Sequence, residues 1–187
     1  MAGQEANRYR LRDGRDILIR PARVEDAEQL LNHARIIIAE DLYNITTLEE
    51  FKQTVEEERK WISKHISERG YALLVAELDG AIVGLIGFEN SSRRRLAHRG
   101  TLHMSVHPAH RRKGVGTALL KSLLAWAASN PVIEKVKLRV FASNTPAVRL
   151  YQKMGFAEEG RRMKEVKLGP GRYADEILMY KFVKDLP

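Results

Sequence analysis

The sequence predicts an α+β layered domain, one sheet with helices packed against it, in the element order βααβββαβαββ. Three observations lead there. Short apolar runs of strand length end at turn residues. The clearest are Tyr71 to Leu78 and Ala81 to Phe88, joined by Asp79-Gly80, a dipeptide that supplies the positive φ values of a tight hairpin. Other stretches carry apolar residues at helical spacing, with capping residues at their starts. Finally, Leu102 to Val106 leads through a basic, glycine-rich turn into an amphipathic stretch from Ala118, a strand–turn–helix unit.

Taken in order, residues 1 to 7 carry no pattern and are expected to be disordered. Tyr9 to Arg12 and Ile17 to Arg20 flank Asp13-Gly14-Arg15, a hairpin turn into a first strand that Pro21 ends. Asp26 is placed to cap a helix bearing Ala27, Leu30, Leu31, Ala34 and Ile38. The β-branched run Ile36-Ile37-Ile38 leaves the end of that helix open. Thr47-Leu48-Glu49-Glu50 has the capping-box pattern, which predicts a long helix to about Glu68 with Phe51, Val55, Trp61, Ile62, His65 and Ile66 inward. Arg69-Gly70 stops it. In the second hairpin strand, Gly84 and Gly87 point to a bulge or a close-packed partner.

Ser91 to Arg95 reads as a polar, basic loop, and Thr101 to Val106 as the next strand. The helix after the glycine turn ends near Asn130-Pro131. Val136 to Phe141 alternates apolar and basic residues, as a strand does. Asn144-Thr145-Pro146 opens a short helix with Pro in its first turn, carrying Ala147, Val148, Leu150 and Tyr151 and closed by Gly155. Phe156 to Arg162 and Asp175 to Val183 are the final strands, with Lys167 to Tyr173 as a glycine-rich connector.

A length of 187 residues fits a single domain spanning 1–187. The 44% hydrophobic and 30% charged shares are those of a soluble globular protein. No run reaches the roughly 18 apolar residues that cross a bilayer, so no membrane partner is expected. The N-terminus lacks the apolar core of a signal peptide. With no cysteine, a disulfide framework, a thiol nucleophile and a Cys-ligated metal are excluded. Cytoplasmic residence is the expectation.

The net charge of +8 points to a polyanionic partner: nucleic acid, an anionic membrane surface or a phosphate-rich small molecule. That charge is local. Arg93-Arg94-Arg95, His98-Arg99 and Arg111-Arg112-Lys113 cluster either side of one strand, while acids concentrate over residues 25 to 58. Neither an aromatic–basic RNA signature nor a DNA-reading helix pattern is present, which argues against nucleic acid.

Arg111-Arg112-Lys113-Gly114-Val115-Gly116-Thr117 is the stretch around which the rest is organised. A helix N-terminus presents unpaired N–H groups and the positive end of the macrodipole. Gly114 and Gly116 let a ligand approach the backbone, and the three basic side chains add charge. The combination reads as a phosphate-binding turn suited to a pyrophosphate. On these residues alone, a basic loop that happens to precede a helix remains the other reading.

Val106-His107-Pro108 before Arg111-x-x-Gly114-x-Gly116, followed by Asn144-x-x-Ala147-x-x-Leu150-Tyr151-x-x-x-Gly155-Phe156, resembles the GCN5-related N-acetyltransferases. The likeness runs from about Ile17 to Val183. It implies the acyl-CoA N-acyltransferase fold: a single mixed, mostly antiparallel sheet flanked by helices. It implies acetyl-CoA as co-substrate, no metal, and transfer to a primary amine of a small molecule, amino acid or peptide by direct attack in a ternary complex. Dimers are common among relatives, so a homodimer is allowed. The segment from Glu159-Gly160 to Asp175-Glu176 is similar to members that acetylate small amines, amino acids or antibiotics, and a subset of relatives acetylates protein N-termini.

By the same resemblance, Arg111, Arg112, Lys113, Gly114, Val115, Gly116 and Thr117 hold the pyrophosphate. Met104 and Val106 bond the pantetheine arm through their backbone, and the Val106 N–H is a candidate oxyanion donor. Asn144 binds the pantetheine or simply caps its helix. Tyr151 protonates the departing thiolate, unless it is a core aromatic. For the general base the sequence leaves Glu89, His103, His98 and a water chain open, with Glu89 named first. A basic nucleic-acid-binding module and a non-catalytic acyl-CoA sensor are the competing readings.

Overall fold

The computed structural model describes residues 5 to 185. Its elements are β1 (Asn7–Arg10), β2 (Asp16–Pro21), α1 (Ala27–Ala39), α2 (Val55–Ser67), β3 (Ala72–Leu78), β4 (Ala81–Asn90), β5 (Arg99–Val106), α3 (Val115–Ser129), β6 (Lys135–Phe141), α4 (Thr145–Lys153), β7 (Ala157–Gly169) and β8 (Arg172–Phe182). All strands join one sheet in the order β1-β2-β3-β4-β5-β6-β8-β7. Every pairing is antiparallel except that of β5 with β6. The α+β class and the single mixed sheet agree with the sequence, and β1 adds one strand at the front. Of the segment expected to be disordered, residues 1–4 lie outside the described residues, whereas Asn7 pairs with Ile19. Among the described residues no helix is long and apolar enough to cross a membrane.

Three local expectations are corrected. The long helix does not start at Thr47. Thr54-x-x-Glu57 has the same capping-box pattern and is the one that opens the helix: the Thr54 hydroxyl accepts from Glu57 N at 3.2 Å and the Glu57 carboxylate from Thr54 N at 2.8 Å. Thr47 and Glu50 make a similar turn, but Leu48 beside them is 54% exposed. Without a buried face a short helix has little to hold it. The Lys167–Tyr173 connector is instead strand, Lys167 pairing with Tyr173, with the turn confined to Pro170-Gly171. As an edge strand lying over little core, β7 lacks apolar alternation, and Met163 on it is 71% exposed.

The third correction is Asp26. Its side chain does not cap α1; it bonds the Arg20 guanidinium at 2.7 and 2.8 Å and accepts from Arg23 N at 2.7 Å. Arg20 also reaches Glu77 at 2.7 Å, so β2, β3 and the entry to α1 meet on one buried cation. Asp26→Ala is expected to destabilise the fold by about 3 kcal/mol, because breaking a buried pair strands the remaining charge. Urea unfolding at neutral pH reads this directly, and a change below about 1 kcal/mol would contradict it.

The sheet has two covered faces. On one, α3 and α4 pack over Ile86, Phe88, Leu102, Val136, Leu138 and Val140. On the other, α1 and α2 bury Leu73, Val75 and Ile82 through residues such as Leu30 and Ile62. Gly84 marks the close packing that its sequence suggested, since a Cβ there would lie 3.2 Å from Leu119 of α3. The decisive irregularity is central. The parallel pairing of β5 with β6 covers only Arg99↔Lys135, Gly100↔Val136 and Thr101↔Lys137. Past that point the two strands separate, each still paired on its outer side.

Candidate active site

The separation of β5 from β6 opens a cleft of about 1260 Å³ that reaches from the start of α3 to the α1–α2 connection. The β4–β5 ladder continues to His107, whose N–H donates to Val83 O at 2.9 Å. Backbone groups alternate along an antiparallel strand, so those of Ser105 and His103 face β4. The N–H and C=O of Met104 and Val106 therefore face the gap. Arg111 Nε donates to Val106 O at 3.0 Å, which marks that direction.

At one end of the cleft lies the glycine turn. Arg112 and Gly114 have φ of 61° and 106°, and the two left-handed residues curl the chain so that successive N–H groups point outward. Among the described residues, no protein acceptor takes a hydrogen bond from the backbone amides of 112 to 117; the first amide of α3 to find one is Ala118 N, at Gly114 O. The turn is pinned from behind by Arg12 N donating to Lys113 O at 2.9 Å. Gly116 has a different reason to be glycine: a Cβ there would sit 3.1 Å from Leu150, so its absence seats α3 against α4.

Arg111, Arg112, Gly114, Gly116 and Thr117 line the cleft, whereas Lys113 and Val115 do not. The Val115 side chain is buried in the core. Arg111 is also less free than its sequence implied. Its guanidinium bonds the Glu40 carboxylate at the end of α1, with one contact of 3.0 Å, and so ties that helix to the end of β5. Asn144 caps α4, its Oδ1 accepting from Ala147 N at 3.3 Å, while lining the same cleft.

Tyr151 projects from α4 with its ring edge against Phe156, centroids 5.8 Å apart. It is only 6% exposed but borders the cleft, and burial pushes its hydroxyl up to about 12. Across the gap Glu89, at the end of β4, also reaches the cleft. His65 of α2 bonds it, Nε2 to Oε1 at 2.8 Å, while His65 Nδ1 lies 2.8 Å from the Trp61 carbonyl. A carbonyl can only accept, so Nδ1 is the donor. His103 lies on the same side of the sheet as Glu89, its ring over Gly87 and 6.3 Å from that of His65.

Sequence reasoning found Glu89 but not its partner. His65 was visible only as one of the inward positions of a helix, and nothing local ties it to a residue 24 positions away. His33, buried on α1 and hydrogen-bonded to Ser105 Oγ at 2.9 Å, was likewise unmarked. Burial first, then the charges of His107 and Arg111, hold His33 down to about 4, so it stays neutral. The wall formed by Arg139, Arg162 and Glu176 was also missed, because its members come from three strands.

Comparison with known proteins agrees with this geometry. The model of the acetyltransferase (GNAT) family matches residues 37–156. The chain is 31% identical to an N-alpha-acetyltransferase of Saccharolobus solfataricus, over 92% of this chain and 95% of that protein. A GNAT acetyltransferase structure from Streptococcus pneumoniae superposes with a TM-score of 0.85 at 28% identity, covering 90% of this chain and 99% of that one. A Salmonella typhimurium acetyltransferase structure with its cofactor acetyl-CoA shares the fold, with a TM-score of 0.80 at 20% identity over 91% and 96% of the two chains. The chain belongs to the GNAT family of acetyltransferases, whose chemistry is acetyl-CoA-dependent N-acetylation.

Proposed function

We propose that this protein transfers an acetyl group from acetyl-CoA to a primary amine by direct attack within a ternary complex. The observation that carries the reading is the continuity of one cleft, from the uncovered amides at 112–117, past the inward-facing backbone of Met104 and Val106, to the Tyr151 ring. A diphosphate needs several N–H donors and positive charge; the turn offers both, with Arg112 beside it. Acetyl-CoA supplies an activated acyl group. The remaining work falls to the chain. Val106 N–H can receive the negative charge that develops on the carbonyl oxygen, a contribution of about 3–4 kcal/mol for one such donor. Glu89 takes a proton from the incoming amine, and Tyr151 gives one to the departing sulfur. Burial that raises the phenol raises a nearby thiolate as well, so the two remain matched.

The reading is tested by adding acetyl-CoA to the purified protein. Saturating acetyl-CoA should raise Tm, and turnover should follow on a panel of amino acids, polyamines, aminoglycosides and peptide N-termini. No shift together with no turnover would defeat it. Gly114→Ala sharpens the test. At φ of 106° a Cβ is strained even though the nearest side-chain atom, on Leu11, would be 3.7 Å away. A left-handed non-glycine residue costs roughly 1–2 kcal/mol, so relaxing the turn should weaken acetyl-CoA binding about tenfold. Calorimetry on both proteins measures it; equal affinity would mean that the turn does not hold the ligand.

A further inference from the structure

The side of the cleft opposite the glycine turn is built from β6, β8 and β7. Phe141 faces Glu176 in register, and Glu176 faces Arg162. Side chains alternate along a strand, so Arg139, Phe141, Glu176 and Arg162 share one side of the sheet. That side is the one beneath the α1–α2 connection, because Tyr43 meets the Phe141 ring edge-on at 6.4 Å. Leu138 and Val140, which alternate with Arg139 and Phe141, point to the α3–α4 side where Tyr151 packs. The wall therefore looks toward the reacting region from the side opposite the phenol.

Glu176 is 2% exposed, yet its Oε2 has no hydrogen-bond partner. The Arg139 and Arg162 guanidiniums both stand 3.8 Å from that oxygen. This is near enough for attraction and too far for a hydrogen bond. Glu176 thus holds two planar cations in place without consuming their N–H groups. Arg162 gives one bond outward, to Glu165 at 2.9 Å. Arg139, half exposed, has no partner nearer than Glu176 among the described residues. The surroundings are positive too: besides burial, the charges of Arg99, Lys135 and Arg162 depress Lys137, against one opposing carboxylate, Glu159. A polycation would be repelled here, whereas a planar carboxylate would find two forks ready for it.

We infer that Arg139 and Arg162, held by Glu176, form a subsite for a carboxylate on the acetyl acceptor, so that the protein selects amines that carry one. The inference rests on the acetyl-transfer reading above, since the same cleft supplies both ligands. A carboxylate could come from a free amino acid or from an acidic side chain near a peptide N-terminus, and the experiment separates them. Calorimetry with the unreactive CoA present compares L-leucine with L-leucinamide. It then compares a tripeptide amide whose second residue is glutamate with its glutamine counterpart. In at least one pair the carboxylate form should bind about tenfold more tightly, and the gap should close in both Arg139→Gln and Arg162→Gln. Equal binding within both pairs, or a gap that survives both substitutions, overturns the subsite. Because these titrations need no turnover, a subsite failure is distinguishable from failure of the acetyl-CoA assay, which would strike the transfer reading instead.

Discussion

Tyr151→Phe should lower kcat about 100-fold or more while leaving acetyl-CoA affinity nearly unchanged. The substitution keeps the ring, and so keeps its edge-on contact with Phe156 and its place in the core. It removes only the oxygen. If that oxygen protonates the leaving sulfur, the loss falls on the chemical step and not on binding. The pH dependence follows from the same burial. With its hydroxyl pushed up to about 12 from 10.0, the phenol keeps its proton throughout the neutral and mildly alkaline range. The wild-type profile should therefore show no falling limb from this group below about pH 10. The sign for stability agrees. The folded state favours the neutral phenol, so that contribution is fully present below pH 10.0 and is lost as pH rises through about 12. Steady-state kinetics beside acetyl-CoA calorimetry separates the alternatives. An unchanged kcat in the Phe variant would make Tyr151 a packing residue only.

Local signals explain what the sequence disclosed. Asp79-Gly80, Asn144-Thr145-Pro146 and the glycine turn each determine their own geometry within a few residues, and each appears where it was expected. Errors arose where tertiary packing arbitrates. Thr47-x-x-Glu50 and Thr54-x-x-Glu57 are equivalent as sequence, and only the packed one becomes a helix. β7 is held by β8 and carries no apolar code of its own. The same division runs through the candidate site. The residues named around Gly114 and Tyr151 sit on two short motifs and, Lys113 and Val115 apart, line one cleft. Charge partners escaped because they are distant in the chain: Arg111 reaches Glu40 across 71 positions, which turns a presumed phosphate ligand partly into a strut. A motif reports the backbone it bends, whereas an ion pair depends on how the sheet brings strands together.

That distinction bears on the general base, where the sequence left several candidates and Glu89 is the one we propose. Glu89 lines the cleft, carries a half-exposed carboxylate through which a proton can leave to solvent, and is backed by His65. Glu89→Gln preserves size and can still hydrogen-bond His65 Nε2 through its amide, but it cannot take a proton. A loss in kcat/KM of about 100-fold is therefore expected near neutral pH. The loss should shrink as pH climbs toward about 10, where an alkylamine gives up its own proton without help. A uniform loss at all pH values would instead assign Glu89 to positioning, since a missing contact does not depend on the amine's charge. No loss at any pH would shift the role to His103, which lines the same cleft on β5, or to water. The pH trend of the ratio between wild type and variant, more than its size at any one pH, decides whether this carboxylate carries the proton.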